Sequence, residues 1–524
     1  MPSLAALQNP VYTRLFIYLI IVISIGFHIS TIRTGHHWEG DFALYTAHAK
    51  NIADGHNYSD TGYIFNPEQP FLAPKSYPPV YPVFLAPIYK LFGLNILAMK
   101  IANILIFAVF LLLFQHYIRK RLRYPVTQIA IITAVAFGPW FWIAKDRILP
   151  DFLFMTFIYG SVLLVDQLYE KYKPTSRSLL LTIVIGLTIY LAYGTRSLGL
   201  VLLPTLLLFD VVRTRWISKS TIVILAIFST LYLTQNFVLQ TDKSYLNTFK
   251  TSLQEKNHNT RSDSGDNNKA QQTIEINSVI QKSVRTIFSN AKHYHQSMAA
   301  YWSSNINNTI DNTVYISMGL LAIIGFVSVT IKRPSFADYL FFVYISLILL
   351  VPFRMTRYLL PIIPLYLFYI FYGFETILNR SSIQKKYTTI IFSTFGLLLI
   401  VVLSYIGSYS KHEFNHIENG VTTKESQALF NFIRQNTPED STFISRKPRL
   451  IALFANRDAT IYAWKKDGAN LLNYFSDVSA THIVVAKENS GVSEIAAFRN
   501  WVANNSNKFY PIYENSDFLV YRIR

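Results

Sequence analysis

The chain contains no cysteine among its 524 residues. Disulfide bonds, thiolate metal sites and catalysis by a cysteine nucleophile are therefore excluded. Charged residues are also scarce, at 15% of the chain, against about 25% in ordinary soluble domains. Acidic residues are the rarer sign, with 30 Asp and Glu against 48 Lys and Arg, so the net charge is +18. Hydrophobic residues make up 51% of the chain, which excludes disorder over most of its length.

Long apolar runs account for this composition. A helix needs roughly 20 apolar residues to cross a bilayer. The first run, Leu15–Ile32, is longer than the apolar core of a signal peptide and is followed by no small-residue cleavage site, so we interpret it as an uncleaved transmembrane helix. Further runs lie at 95–118, 125–143, 150–168, 178–194, 197–212, 218–238, 313–331, 335–353, 356–376 and 387–408. The sequence thus predicts a multi-pass α-helical membrane protein with about 11 transmembrane helices.

The basic residues lie mainly in alternate loops between these runs. If the N-terminus is cytoplasmic, the cytoplasmic loops carry the basic clusters at 119–123, 171–177, 213–219, 332–333 and 380–386. This alternation follows the rule that short cytoplasmic loops are rich in Lys and Arg. Most of the +18 is therefore explained by topology, and nucleic acid is not an expected partner. An odd number of helices places the C-terminus outside.

Three regions are predicted on the outer side: 33–94, 239–312 and 410–524. In the second, the polar segment 256–272 precedes apolar residues at helical spacing, typical of an amphipathic helix at the membrane interface or against the C-terminal region. In the third, short β-rich runs alternate with helical patterns, which predicts a small α/β domain. We therefore divide the chain into a transmembrane module (1–409) and a periplasmic domain (410–524). The sequence assigns no catalytic role to this domain.

The outer region 33–94 contains two predicted helices. Asp41–Ala53 is amphipathic and ends before Gly55. Pro79–Phe92 is apolar, but at about 14 residues it is short for a membrane span, so we expect it to lie along the membrane surface. Asp41 stands at the start of the first helix. It is either a helix cap or a general base that accepts a proton from a hydroxyl nucleophile at the membrane surface.

More ionisable residues fall near the predicted outer face of the membrane. They are Lys145, Asp146, Arg147, Asp151, Arg196, Arg354 and Arg357. For any single residue, snorkelling or a structural ion pair, such as Asp151 with an arginine, is a sufficient explanation. As a set, however, the cations oppose the positive-inside trend and lie on the same side as Asp41. This favours a bound anionic group such as a lipid phosphate.

Four stretches in this order resemble the GT-C superfamily of membrane glycosyltransferases. They are GDFALYTAHAKNIADG, KSYPPVYPVFLAPIYKLFG, RILPDFLF and RMTRYLLPIIP. The likeness is to the ArnT-like and protein-mannosyltransferase-like branch, and in architecture it covers about residues 10–410. Two departures stand out. Tyr77 occupies a position where lysine is common, and the nearest lysine is Lys75. In relatives an acidic residue often adjoins the catalytic Asp, whereas here Phe42 follows Asp41 and Glu39 stands two residues before it.

This resemblance implies a mechanism. A sugar would pass from a polyprenyl-phosphate donor to a hydroxyl of a lipid, glycan or protein on the outer face, with inversion. Asp41 would act as the base, and Asp151 would orient the acceptor or hold a cation. The resemblance assigns the donor phosphate to Arg354, Arg357, Arg196 and Lys75, and substrate contacts to Trp38, Glu39, Tyr45 and Tyr77. The presence of a divalent metal stays open, and aromatic residues near the membrane also belong to interfacial belts.

Two other functions compete with transfer. A lipid-linked-sugar flippase or transporter is expected to contain internal repeats and to bind its substrate at the midplane of the membrane. The ionisable residues of this sequence lie instead near one predicted face of the membrane. A non-catalytic scaffold that displays the C-terminal domain would leave the outer cations unexplained. The family likeness and the absence of cysteine favour a bacterial inner membrane, with the N-terminus cytoplasmic and the C-terminal domain periplasmic.

Overall fold

The computed structural model describes residues 10–69, 74–170, 176–239, 268–302, 309–351, 354–380, 387–464 and 468–524. Residues 256–267 of the polar segment and the predicted cytoplasmic cations at 171, 173, 385 and 386 lie outside the described residues. Helices form most of the described structure, and the strands gather in one sheet.

The first half of the chain contains both long apolar helices and shorter ones. In chain order they are α1 (Pro10–Ser30), α2 (Gly40–Asp54), α3 (Val80–Phe92), α4 (Ile96–Arg119), α5 (Pro125–Ala136), α6 (Pro139–Lys145), α7 (Asp151–Glu170), α8 (Ser176–Thr195), α9 (Leu202–Thr214) and α10 (Lys219–Leu239). The next are α11 (Asn268–Trp302), α12 (Thr309–Lys332), α13 (Phe336–Leu350), α14 (Ile363–Arg380) and α15 (Tyr387–Tyr409). A short 3-10 helix, Thr356–Leu359, precedes α14.

Seven of the described helical segments are long and apolar enough to cross a membrane, or eight if the bent pair α5 and α6 counts as one span. They are Val11–Ser30, Ile96–Arg119, Asp151–Glu170, Ser197–Thr214, Lys219–Leu239, Asp311–Lys332 and Thr388–Tyr409. The chain is therefore a multi-pass helical membrane protein, while the count of eleven spans stays a prediction. Two of the eleven runs form shorter apolar helices, Leu179–Thr195 and Phe336–Leu350. The run at 356–376 is broken because Pro361 cannot continue the hydrogen-bond pattern of a helix.

Helices α12 and α14 cross unusually closely at two glycines. A Cβ atom on Gly325 would overlap the carbonyl oxygen of Tyr369, and one on Gly373 would overlap that of Leu321. Only glycine at both positions permits this approach. The crossing fixes α14 in the bundle, and with it the 3-10 helix Thr356–Leu359 that lies just before α14.

The strands form one six-stranded sheet. They are β1 (Tyr63–Ile64), β2 (Thr442–Ser445), β3 (Asp458–Thr460), β4 (His482–Ala486), β5 (Phe509–Glu514) and β6 (Phe518–Ile523). The spatial order is β1-β3-β2-β4-β6-β5, parallel from β1 to β4 and antiparallel from β4 to β5. The helices of this region are α16 (Lys424–Asn436), α17 (Pro448–Ala455), α18 (Gly468–Asp477) and α19 (Ala496–Asn504). Because β1 comes from the loop after α1, the sheet joins that loop to the C-terminal region.

The segment just before α2 is also bonded to the C-terminal region. The amide of Thr34 donates to Asn415 O (3.0 Å), and the amide of Ile417 donates to Thr34 O (3.0 Å). Trp38 is buried against the rings of Phe430 and Phe518, at centroid distances of 5.8 and 5.3 Å. The loop and the C-terminal region therefore share one hydrophobic core.

A buried charge cluster holds the same segment to the membrane helices. Asp146 accepts hydrogen bonds from Arg33 Nε (2.9 Å) and Lys145 Nζ (2.7 Å), and Lys100 Nζ lies 3.6 Å away. Burial opposes ionisation of Asp146, but these three cations outweigh it and hold its pKa below the usual value. Lys100 Nζ also donates to the carbonyl oxygens of Arg33 and Gly35. The start of α2 is thus fixed both to the bundle and to the sheet.

Candidate active site

Helix α2 begins at Gly40 and ends at Asp54, and Gly55 follows in the left-handed conformation (φ 74°). The predicted stop at Gly55 is therefore confirmed. Glu39 is the N-cap residue, and its side chain makes no capping hydrogen bond. Asp41 lies in the first turn, inside the helix, so it is not the cap residue.

The carboxylate of Asp41 is bound by three side chains from distant parts of the chain. Arg357 Nη2 donates to Oδ2 at 2.7 Å, and the Tyr77 hydroxyl donates to Oδ1 at 2.8 Å. Arg449 Nη1 lies 3.3 Å from the same Oδ1 and 3.2 Å from the Tyr77 oxygen. The Asp41 side chain remains 27% exposed, so the carboxylate is held by three side chains but is still accessible from the solvent.

These contacts determine the protonation state of the cluster. Burial opposes the charge of Asp41, but Arg357 and Arg449 outweigh burial and hold its pKa well below the usual range. Burial, together with the Asp41 charge, raises the pKa of Tyr77, so its hydroxyl stays protonated and donates. Asp41 is therefore a carboxylate at physiological pH, with two arginines beside it.

Asp41 lines an open cavity of about 490 Å³. Its walls are formed by Glu39, Gly40, Asp41, Tyr63, Arg147, Met355, Thr356, Arg357, Arg446, Lys447, Pro448, Arg449 and Ile461. Five of these side chains are basic and two are acidic, so the cavity is positively charged overall. The lining residues come from the start of α2, from β1, from the loop between α6 and α7, from the 3-10 helix before α14, from the start of α17 and from the residue directly after β3.

Two more predicted site residues accompany Asp41. Glu39 lines the cavity and pairs with Arg147 at 3.3 Å. Tyr77 lies beneath the cavity, bonded to Asp41, and its ring stacks on that of Tyr45 at 4.5 Å. Both tyrosines are buried. Tyr45 therefore packs against Tyr77 and does not form part of the cavity wall.

The other predicted residues lie elsewhere. Arg354 is exposed and donates to Ser289 Oγ at 2.7 Å, and Lys75 is exposed outside the cavity wall. Arg196 forms a buried ion pair with Asp151, and its guanidinium lies 5.0 Å from the Tyr358 ring centroid. Trp38 belongs to the core shared with the sheet. Of the four cations assigned to the donor phosphate, only Arg357 therefore lines the cavity.

The sequence reasoning missed Arg446, Lys447 and Arg449. They belong to the stretch SRKPR, which follows the buried strand β2 and begins α17. Three basic residues directly after a buried strand were the available signal. This signal alone does not indicate a site, because the C-terminal region has no recognised catalytic motif and nothing local links residue 449 to residue 41.

The described residues offer no metal centre. Among them there is no group of three or more His, Asp or Glu side chains that could hold a metal ion. Asp41 is bound by two arginines and Glu39 by a third, so their carboxylates face positive charge. This donor set does not fit a divalent cation.

A second cavity, of about 400 Å³, lies between α11, α12, α13 and α14. Its wall is almost entirely apolar and includes Met298, Ala322, Phe326, Ile348, Leu359 and Tyr366. Leu359 and Arg357 belong to the same 3-10 helix, and each lines a different cavity. A charged cavity and an apolar one thus meet at a single structural element.

No sequence-family model and no curated protein sequence matches this chain. Solved structures do match its fold. An oligosaccharyltransferase of Archaeoglobus fulgidus, tethered to an acceptor peptide, is 12% identical with a TM-score of 0.57, over 90% of this chain and 69% of that chain. AglB from the same organism, in complex with an inhibitory peptide and a dolichol-phosphate, is 11% identical with a TM-score of 0.58, over 90% and 69%.

ArnT from Cupriavidus metallidurans, bound to undecaprenyl phosphate, is 12% identical with a TM-score of 0.56. The match covers 96% of this chain and 97% of that chain, so the likeness extends from the membrane helices through the C-terminal region. The chain therefore shares the fold of ArnT and of the archaeal oligosaccharyltransferase.

Proposed function

We propose that the protein is an inverting membrane glycosyltransferase, which moves a sugar from a polyprenyl-phosphate donor to a hydroxyl acceptor on the outer face of the membrane. One observation carries the proposal: an ionised, accessible Asp41 shares a positively charged cavity with Arg357, directly beside an apolar cavity between membrane helices. A base, an anion-binding group and a lipid-binding surface are the three parts that such a reaction needs.

Arg357 would hold the donor phosphate. Its side chain lines the cavity and is 21% exposed, and its contact with Asp41 is made through Nη2. A guanidinium binds phosphate oxygens with two parallel N–H groups, so Arg357 retains donor capacity for this task. The apolar cavity at Leu359 would receive the polyprenyl chain. Binding of undecaprenyl phosphate by ArnT and of dolichol-phosphate by AglB supports this assignment.

Asp41 would be the general base. The acceptor oxygen attacks the anomeric carbon, the bond from that carbon to the phosphate oxygen breaks, and the lipid phosphate leaves with the electron pair. Asp41 takes the acceptor proton. When the phosphate shares the positive charge of Arg357, less of that charge acts on Asp41, and its proton affinity rises. Arg357 also stabilises the charge that develops on the leaving phosphate.

Tyr77 and Arg449 would keep the carboxylate of Asp41 in place during this step. The buried pair of Asp151 with Arg196 would support the 3-10 helix through the contact of Arg196 with Tyr358. No step passes through a metal. We place the reaction at the periplasmic face of a bacterial inner membrane, with the N-terminus cytoplasmic and residues 410–524 as a periplasmic α/β domain that completes the active site.

Binding of lipid-linked sugars tests the proposal. Purified protein would be mixed with a panel of polyprenyl-phosphate sugars, and the melting temperature measured for the wild type and for Asp41→Asn. Any bound donor raises the melting temperature, because it binds only folded protein. We expect at least one donor to stabilise both proteins, since Asp41 is not the phosphate ligand. If no donor stabilised the wild type, the proposed function would be wrong.

A further inference from the structure

Two basic residues in the cavity are not used by the proposed reaction. Arg446 and Lys447 line its wall just before α17, and both are half-buried. Among the residues that the structure describes, neither has a carboxylate within ion-pair distance, whereas Arg357 and Arg449 bind Asp41 and Arg147 binds Glu39. Arg446 Nε donates to the backbone oxygen of Ser493, at 3.2 Å.

The positive charge at this wall is only partly compensated. Burial lowers the pKa of Lys447 and the charges of Arg446 and Arg449 lower it further, while Glu39 and Asp41 oppose them with smaller effects. Three neighbouring cations at positions 446, 447 and 449 thus repel one another on one wall of an open cavity. An anion bound there would relieve this repulsion, and the side-chain N–H groups of Arg446 and Lys447 would become its hydrogen-bond donors.

Their place in the fold separates these residues from the lipid-binding part of the site. Arg357 belongs to the 3-10 helix that also borders the apolar cavity, whereas Arg446 and Lys447 belong to the sheet region and line the charged cavity but not the apolar one. A second anion bound there would belong to the polar substrate, which enters from the aqueous side.

We infer that Arg446 and Lys447 form an acceptor subsite, and that the acceptor carries a phosphate or carboxylate near the hydroxyl that receives the sugar. This inference rests on the proposed function. The expected acceptors are then hydroxyl compounds that also carry an acidic group, and the C-terminal region contributes to their selection.

Titration with a small acidic sugar tests the subsite. Glucose 6-phosphate and glucose would be titrated into the purified full-length protein, with and without saturating undecaprenyl phosphate, and binding followed by the shift in melting temperature. We expect saturable stabilisation by glucose 6-phosphate but not by glucose, also in the lipid-bound protein. Arg446→Gln/Lys447→Gln should weaken binding of glucose 6-phosphate at least ten-fold and change the affinity for undecaprenyl phosphate less than two-fold.

The control variant Lys424→Gln/Lys508→Gln removes the same charge from exposed positions of the same region and should bind like the wild type. The inference is overturned if Arg446→Gln/Lys447→Gln binds glucose 6-phosphate like the wild type. It is also overturned if that variant loses undecaprenyl phosphate instead, because the residues would then belong to the donor site. Failure of undecaprenyl phosphate to bind the wild type would count against the proposed function alone, since the titration without lipid still reports on the subsite.

Discussion

Two arginines three positions apart, Arg354 and Arg357, give the sharpest test of the donor site. The sequence resemblance assigns both to the donor phosphate, but the structure separates them. Arg357 lines the charged cavity and bonds Asp41 at 2.7 Å, whereas Arg354 is exposed and bonds Ser289. We therefore expect Arg357→Gln to weaken binding of undecaprenyl phosphate and Arg354→Gln to leave it nearly unchanged.

The size of the effect follows from the lost contact. A hydrogen bond to a charged group contributes about 1.5 to 3 kcal/mol. Since 1.4 kcal/mol corresponds to a factor of about ten in affinity, Arg357→Gln should raise the Kd about 10- to 100-fold. Arg354→Gln should change it by less than about two-fold, because an exposed contact contributes little.

Isothermal titration of detergent-solubilised protein with undecaprenyl phosphate measures both constants. Each variant should first show a cooperative melting transition, so that loss of folded protein is not read as loss of binding. Equal weakening by the two substitutions would refute the reasoning, and so would a larger effect of Arg354→Gln.

Three further predictions follow from the fold. Arg449→Lys keeps the charge but loses the guanidinium geometry that contacts both Asp41 and Tyr77. Sugar transfer should therefore fall at least ten-fold, while binding of undecaprenyl phosphate persists. Unchanged transfer would show that Arg449 does not contribute to the active site. Gly373→Leu should lower the melting temperature strongly and disrupt the crossing of α12 with α14, whereas a wild-type melting curve would contradict the close approach. His48 is buried, and burial lowers its pKa to about 4. Because the unfolded chain binds the proton near pH 6.5, stability should decrease as the pH falls from about 6.5 to about 4. His48→Gln should make that part of the pH profile of the melting temperature less steep, while His36 and His482, whose pKa values burial also lowers, maintain the rest of the slope.

Local patterns predicted the parts of the site that depend on neighbours in sequence. The helix expected over Asp41–Ala53 is α2 (Gly40–Asp54), and its stop at Gly55 follows from a glycine in the left-handed conformation. The acidic residue expected to be functional, Asp41, does line a cavity, together with Arg357. Each of these expectations needed only helical periodicity, a turn residue or a short motif.

Contacts between distant segments could not be predicted in this way. Arg449 reaches Asp41 because β1, from the loop after α1, pairs with β3 of the C-terminal region. A two-residue strand such as Tyr63–Ile64 has no detectable alternation of its own. The types of Trp38 and Arg354 suit sugar and phosphate contacts, but tertiary packing buries Trp38 in the core and directs Arg354 towards Ser289.

The sugar-transfer rate of Asp41→Asn tests most directly whether Asp41 is the base. Wild type and variant would be reconstituted in proteoliposomes with a stabilising polyprenyl-phosphate sugar and an extract containing acceptors, and the release of polyprenyl phosphate would be measured. General base catalysis contributes about 100- to 10,000-fold to a rate. We expect the release rate to fall by a factor of that size in Asp41→Asn, with donor binding retained. Release at the wild-type rate by a folded, donor-bound Asp41→Asn protein would contradict it.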